Sequence, residues 1–155
     1  MQTEAEKVGY LWINEPAEGA CVEDCVREAT GAYQRARNEF ETLILCGTGA
    51  GAAYCIMLAG RFSPDGVWIE PFQNGECESF FQTLRACSPK LFAVCARTEI
   101  LLPEDVSKRD RRRLKRFLNQ MREADKNVEV VHGKGDGEKM LRNRAIHGRI
   151  IKTLA

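Results

Sequence analysis

Five short apolar runs alternate along the chain with five longer segments whose apolar residues recur at helical spacing. The runs fall at 8–13, 42–46, 67–69, 91–95 and 128–131. The first four are nearly continuous in apolar residues, as parallel strands covered on both faces are. The last, Val128-Glu129-Val130-Val131, partly alternates, which predicts an edge strand. Between the runs, Val22, Val26, Ala29, Tyr33, Ala36 and Phe40 mark one face of a helix over 22–40. Residues 50–61, rich in Ala and Leu, predict a second helix. Phe80, Phe81 and Leu84 mark a third over 76–87, and Leu114, Phe117, Leu118 and Met121 a fourth over 104–125. Met140, Leu141, Ile146, Ile150 and Leu154 mark the stripe of a fifth at 138–153. Strands that alternate with helices predict an α/β fold. The expectation is a five-stranded, mostly parallel sheet flanked by helices, in a complete or incomplete three-layer α/β/α sandwich. No repeat, low-complexity stretch or linker interrupts the pattern, so residues 1–155 are expected to form one domain.

Composition adds exclusions. A chain of 155 residues with 44% apolar side chains is long enough to fold on its own core. No apolar run approaches the ~20 residues of a membrane-spanning helix. Residues 1–7 are polar and acidic, unlike a secretory signal. Seven cysteines are present, with no CxxC pair, and the two histidines, His132 and His147, sit at no metal-ligand spacing from them. Several cysteines lie within apolar runs, where a free thiol behaves as a small hydrophobe. Cys21 and Cys25, spaced i,i+4 on one helix, are too remote for an unstrained bridge. The expectation is reduced thiols in a cytoplasmic protein with no metal site.

Charge is divided unevenly. Residues 1–87 carry 6 basic and 13 acidic groups, a net of −7, while residues 88–155 carry 17 and 9, a net of +8. Within the basic half, Lys108, Arg109, Arg111, Arg112, Arg113, Lys115 and Arg116 put seven cations into nine residues. One reading is a solvated helix. The sharper one is a patch for an acidic partner. The net charge of +1 and the lack of an aromatic platform or known motif beside the run argue against nucleic acid.

Ligands of open parallel sheets bind at the carboxyl ends of the strands. The distinctive loop there is Gly47-Thr48-Gly49-Ala50-Gly51-Ala52, between the second strand and the second helix. It fits two patterns. GxGxxA is a dinucleotide fingerprint, with Glu70 at the end of the next strand as the ribose-binding acid. A full strand–helix unit precedes it, whereas the fingerprint normally follows the first strand. GxSxG is the nucleophile elbow, a tight strand-to-helix turn. Gly47 and Gly51 hold its flanking positions, and Gly49 stands at its apex.

On this loop the chain resembles the α/β-hydrolase superfamily. Residues 43–72 look like its strand–elbow–helix–strand core, including Glu70-Pro71 at the close of the next strand. Residues 91–103 look like the strand and acid loop, with Glu99 at the acid position. Residues 128–136 look like the last strand and histidine loop, and residues 8–40 like the strand and helix before the elbow. The resemblance implies a triad at Gly49, Glu99 and Asp136, with Gly137 the alternative for the last. Neither Gly49 nor Asp136 can play the part of nucleophile or imidazole base. The loop that supplies part of the family's oxyanion hole has no counterpart.

Substitutes for the missing groups are few. Glu70 and Glu99 end neighbouring strands in this reading, and paired carboxylates do acid–base chemistry when their pKa values are split. His132 ends the last strand. Thr48 is expected to cap the turn or face the core, Cys55 to be packed, and His147 to lie on the surface. The resulting expectation is a catalytically degenerate hydrolase-like protein that acts as a binding or interaction module without a cofactor. Residues 47–51 are its ligand-contacting loop. The alternatives are an esterase-like hydrolase using Glu70, Glu99 and His132, or a nucleotide-binding module. The single helix at 138–153 is too narrow to cover the second face of the sheet. A homodimer that buries that face or the sheet edge is therefore expected.

Overall fold

A computed structural model describes residues 8–14, 16, 19–72, 77–87, 89, 94, 96–103, 106–124, 128–133 and 149–153. For Pro103 and for residues 122–124, 128–133 and 149–153 it describes the backbone alone. The elements are β1 (Val8–Ile13), α1 (Val22–Glu39), β2 (Thr42–Thr48), α2 (Ala50–Arg61), β3 (Gly66–Glu70), α3 (Glu78–Cys87), β4 (Arg97–Pro103), α4 (Lys108–Ala124), β5 (Val128–Gly133) and β6 (Arg149–Thr153). The strands form one sheet, all pairs parallel, in the order β5-β4-β3-β2-β1-β6. It has six strands where five were expected. The extra one is β6: residues 149–153 belong to a strand, not to the end of a helix, and Tyr10 lies opposite Ile150. The rest of the expected fifth helix lies outside the described residues. Val128–Gly133 is an edge strand, as its partial alternation predicts.

Local chemistry sets the helix boundaries. The Cys21 carbonyl accepts the first helical hydrogen bond of α1, from the Cys25 N–H, and Glu23 and Asp24 place negative charge at the positive end of its dipole. α4 starts later than apolar spacing suggests, because Ser107 caps it: the Ser107 hydroxyl accepts from the Asp110 N–H and its carbonyl from the Arg111 N–H.

Alternate residues of each strand face opposite ways. Leu11, Ile13, Leu43, Leu45, Val67, Ile69, Ile100 and Leu102 face one way and share a single core with α1, α2, α3 and α4. β1 to β5 are spatial neighbours in chain order. Right-handed crossovers stepping in one direction put their helices on one face. α2 lies at the centre of that layer and is buried on nearly every side. Phe80 of α3 packs edge-on against Phe117 of α4, ring centroids 5.3 Å apart. Tyr10, Trp12, Cys46 and Leu101 form a second, smaller cluster on the opposite face, with Val8, Ile44 and Trp68 half-buried around it. None of the described helices contributes to it.

Candidate functional site

The elbow loop is built by backbone contacts that leave no room for side chains at its flanks. A β-carbon on Gly51 would sit 2.2 Å from the Ile13 carbonyl oxygen, and one on Gly47 would sit 2.7 Å from the Gly51 carbonyl carbon. The two glycines let β2 turn into α2 while α2 presses against the end of β1. Gly49, between them, has φ 53° and ψ −126°. That conformation strains any residue with a side chain. Backbone hydrogen bonds hold the apex. Its N–H donates to the Glu70 carbonyl at 2.9 Å, tying the turn to β3, and its own carbonyl accepts from Ala52 N–H at 3.1 Å and from Ala53 N–H at 3.4 Å to open α2. The geometry is that of a strained strand-to-helix turn presenting one residue at the carboxyl edge of the sheet, and here that residue is glycine.

Thr48 and Ala50 flank the apex, Thr48 half-buried as the last residue of β2 and Ala50 buried in the first turn of α2. Glu70 lies across from Thr48 in the register. Its carboxylate is only 6% exposed, and Oε1 accepts the Phe72 N–H at 2.9 Å, which braces the bend at Pro71. Of the substitute groups, Glu70 is therefore the one placed beside the elbow.

Glu99 is elsewhere. The fourth strand of the sheet is Arg97–Pro103, so Glu99 falls inside a strand rather than in a loop beyond it; of the expected run at 91–95 only Val94 is among the described residues, and it is outside the ladder. It lies opposite Trp68, 7% exposed, on the face away from the helices. By the sheet's register Glu70 and Glu99 share a face but are offset by two residues along it, about 6.6 Å along the strands and ~4.8 Å across. Glu99 lines a groove of about 300 Å³ toward the amino ends of the strands, with Thr42, Ile44, Asp65, Gly66, Trp68 and Arg97. That is the wrong end of the sheet for the elbow. The residues that follow β4, Glu104 and Asp105, lie outside the described residues, as do Asp136, Gly137 and His147. His132 is the penultimate residue of β5, opposite Leu102.

Among the described residues, Cys21, Cys25, Cys46, Cys55, Cys77 and Cys87 carry thiols that form no disulfide. Burial pushes the Cys55 thiol well up, with the neighbouring Cys46 adding to it. Burial raises Cys87 to about 11. Burial and a hydrogen bond with Asp110 raise Cys77 to about 12. These three are proton-bearing packing groups at neutral pH rather than nucleophiles. No cluster of His, Cys, Asp or Glu among the described residues could hold a metal ion. No described helix is long and apolar enough to cross a membrane.

The basic run forms one face of α4. Lys108, Arg109, Arg111, Arg112, Lys115 and Arg116 are exposed, while Leu114, Phe117 and Met121 point into the core. Arg113 sits at the border. Its guanidinium lies 4.4 Å from the centre of the Phe81 ring and 2.7 Å from a Glu78 carboxylate oxygen. The hydrogen bond from Arg113 and its charge hold the Glu78 carboxyl below its ordinary value. Sequence reading missed this clamp, because Glu78 and Arg113 are 35 residues apart and only the packing of α3 on α4 joins them.

No protein-family model matches the chain, and no curated protein matches it in sequence. Its architecture, however, has solved counterparts. One is a metagenome-derived lipolytic enzyme from the LipS and LipT pair, similar at a TM-score of 0.65 and 10% identity over 92% of this chain and 93% of that one. The fold is similar to that of this lipolytic enzyme. At this identity the likeness is one of fold alone.

Proposed function

We propose that this chain is an α/β-hydrolase-like protein without acyl-transfer chemistry, retained as a binding module. The observation that carries the reading is Gly49. It stands at the apex of an elbow whose flanks, strain and tie to β3 are kept, yet it has no side chain to attack a carbonyl. Asp136 at the histidine position supports it from the sequence. In a triad enzyme, loss of either nucleophile or base alone removes several powers of ten in rate.

The test is hydrolysis of short p-nitrophenyl esters by the purified protein and by Gly49→Ser. Neither should exceed background, since the serine would have no imidazole to deprotonate it. Wild-type turnover that disappears in Glu70→Ala or His132→Ala would overturn the reading in favour of an enzyme with substitute groups.

A further inference from the structure

The surface between α3 and α4 has a chemistry that the elbow does not explain. A groove of about 290 Å³ runs between the two helices. Phe81, Leu84 and Phe117 give it apolar walls, and Arg85, Arg113 and Arg116 form its cationic rim. It continues onto the exposed face of α4. There Arg109, Arg112 and Arg116, spaced i, i+3 and i+7, set a row of guanidiniums over about 10 Å of helix. Between Arg109 and Arg116 no acid lies on that row: Asp110, the one acid in the run, is half-buried beside Cys77 and Arg113.

We propose that this groove is a docking site for an acidic amphipathic helix of a partner protein. An apolar side chain of the partner enters between Phe81, Leu84 and Phe117, and its carboxylates meet the arginine row. Three observations select this occupant. The cations are mostly arginines, whose planar forks match carboxylates in bidentate geometry. A carboxylate already occupies that chemistry at one point, Glu78 on Arg113, 2.7 Å away. The aromatic rings are unsuited to stacking nucleic-acid bases, because the Phe81 face is covered by Arg113 and Phe117 is buried. A helix with apolar anchors one turn apart and acids along its flank is complementary both to the walls and to the row. No residue of the elbow lines the groove, so this site and the reading of Gly49 stand or fall separately.

Fluorescence anisotropy tests it, with a labelled Glu-rich helical peptide carrying two leucines at i and i+4. Wild-type protein should bind, with affinity falling as salt rises. Charge reversal at two exposed sites, Arg112→Glu with Arg116→Glu, should weaken binding about tenfold or more. Gln120→Glu, on the exposed wall of the groove, should weaken it several-fold, while Arg35→Glu on α1 should leave it unchanged. Circular dichroism confirms that each variant folds. Equal binding of a peptide with serines in place of the leucines would reduce the site to bulk electrostatics and overturn the proposal. So would tighter binding of oligouridylate than of peptide, or no peptide binding at high micromolar concentration. A protein dimer that dissociates on the double charge reversal would assign the groove to a second copy, and would overturn the proposal as well.

Discussion

At the scale of single residues, the elbow loop makes unequal demands on its three glycines. Gly51→Ala drives a methyl group into the Ile13 carbonyl oxygen, with backbone on both sides of the clash, so neither partner can rotate away. Overpacking of this kind costs about 3 kcal/mol or more. Gly49→Ser meets strain rather than collision, roughly 1–3 kcal/mol for a side chain at that φ and ψ. Urea melts should therefore order the stabilities as wild type, then Gly49→Ser, then Gly51→Ala. A Gly51→Ala variant as stable as wild type would mean that α2 does not press on β1 as described. These positions were legible in the sequence, because a run of glycines between an apolar strand and a helix has few physical uses. Glu99 was not legible. Its role depended on where the strand ended, and a shift of several residues carried it from the end of the strand into its body.

The elements themselves follow apolar period closely wherever one face is buried. α1 and α2 run as their stripes predict, and β1 needs no adjustment. β4 shows how the rule fails. Residues 91–95 are more continuously apolar than Arg97–Pro103, yet the sheet takes the later segment. Ile100 and Leu102 reach the core beneath the helices and Leu101 the smaller cluster opposite, so that stretch serves both faces. Val94 is buried without being part of the ladder. Composition does not separate the two apolar runs; pairing with β3 assigns the later one to the sheet. The β2–β3 connection holds another feature invisible in the pattern. Asp65 accepts the Leu43 N–H at 2.8 Å and a hydrogen bond from the Arg37 guanidinium, tying α1, β2 and the start of β3 together. Burial raises its pKa, but these hydrogen bonds and the Arg37 charge outweigh burial and hold it below the ordinary value. A carboxyl with a lowered folded pKa stabilises the fold above about pH 4, its unfolded value, and loses that contribution as pH falls through the folded value. Asp65→Asn should therefore be less stable than wild type near neutrality, and the two should converge in acid as pH falls below the lowered folded value. Denaturant midpoints across that range measure it. A difference independent of pH would show that the carboxylate's charge contributes nothing.

For the molecule as a whole, the question is what becomes of the sheet's second face and its edges. The expectation of a dimer began from a bare apolar face. Among the described residues at the centre of that face, Trp12 is 2% exposed and Cys46 is buried within the single chain, with Val8, Ile44 and Trp68 half-buried around them. The burden of any self-association therefore moves to the edges. β6 is one of them, and the helical pattern of the sequence hid it, since Ile150 and Leu154 fit the stripe of a helix. An edge strand has one side paired and one side open. In a parallel ladder the N–H groups of successive residues point to opposite sides, so of Ile150 and Ile151 one donates toward β1 and the other away. Proline removes the N–H, and alanine at the same site accounts for the lost side chain. Compared with its alanine partner, one of Ile150→Pro and Ile151→Pro should cost about 1–3 kcal/mol for a lost ladder bond, and the other should be nearly neutral. Thermal melts and sedimentation of the four variants decide it, with wild type expected to run as a monomer. Two neutral prolines would mean that β6 is not paired with β1. Two costly prolines, in a protein that sediments as a dimer, would mean that a second copy covers the outer side of β6, and the assembly would then be joined at the sheet edge.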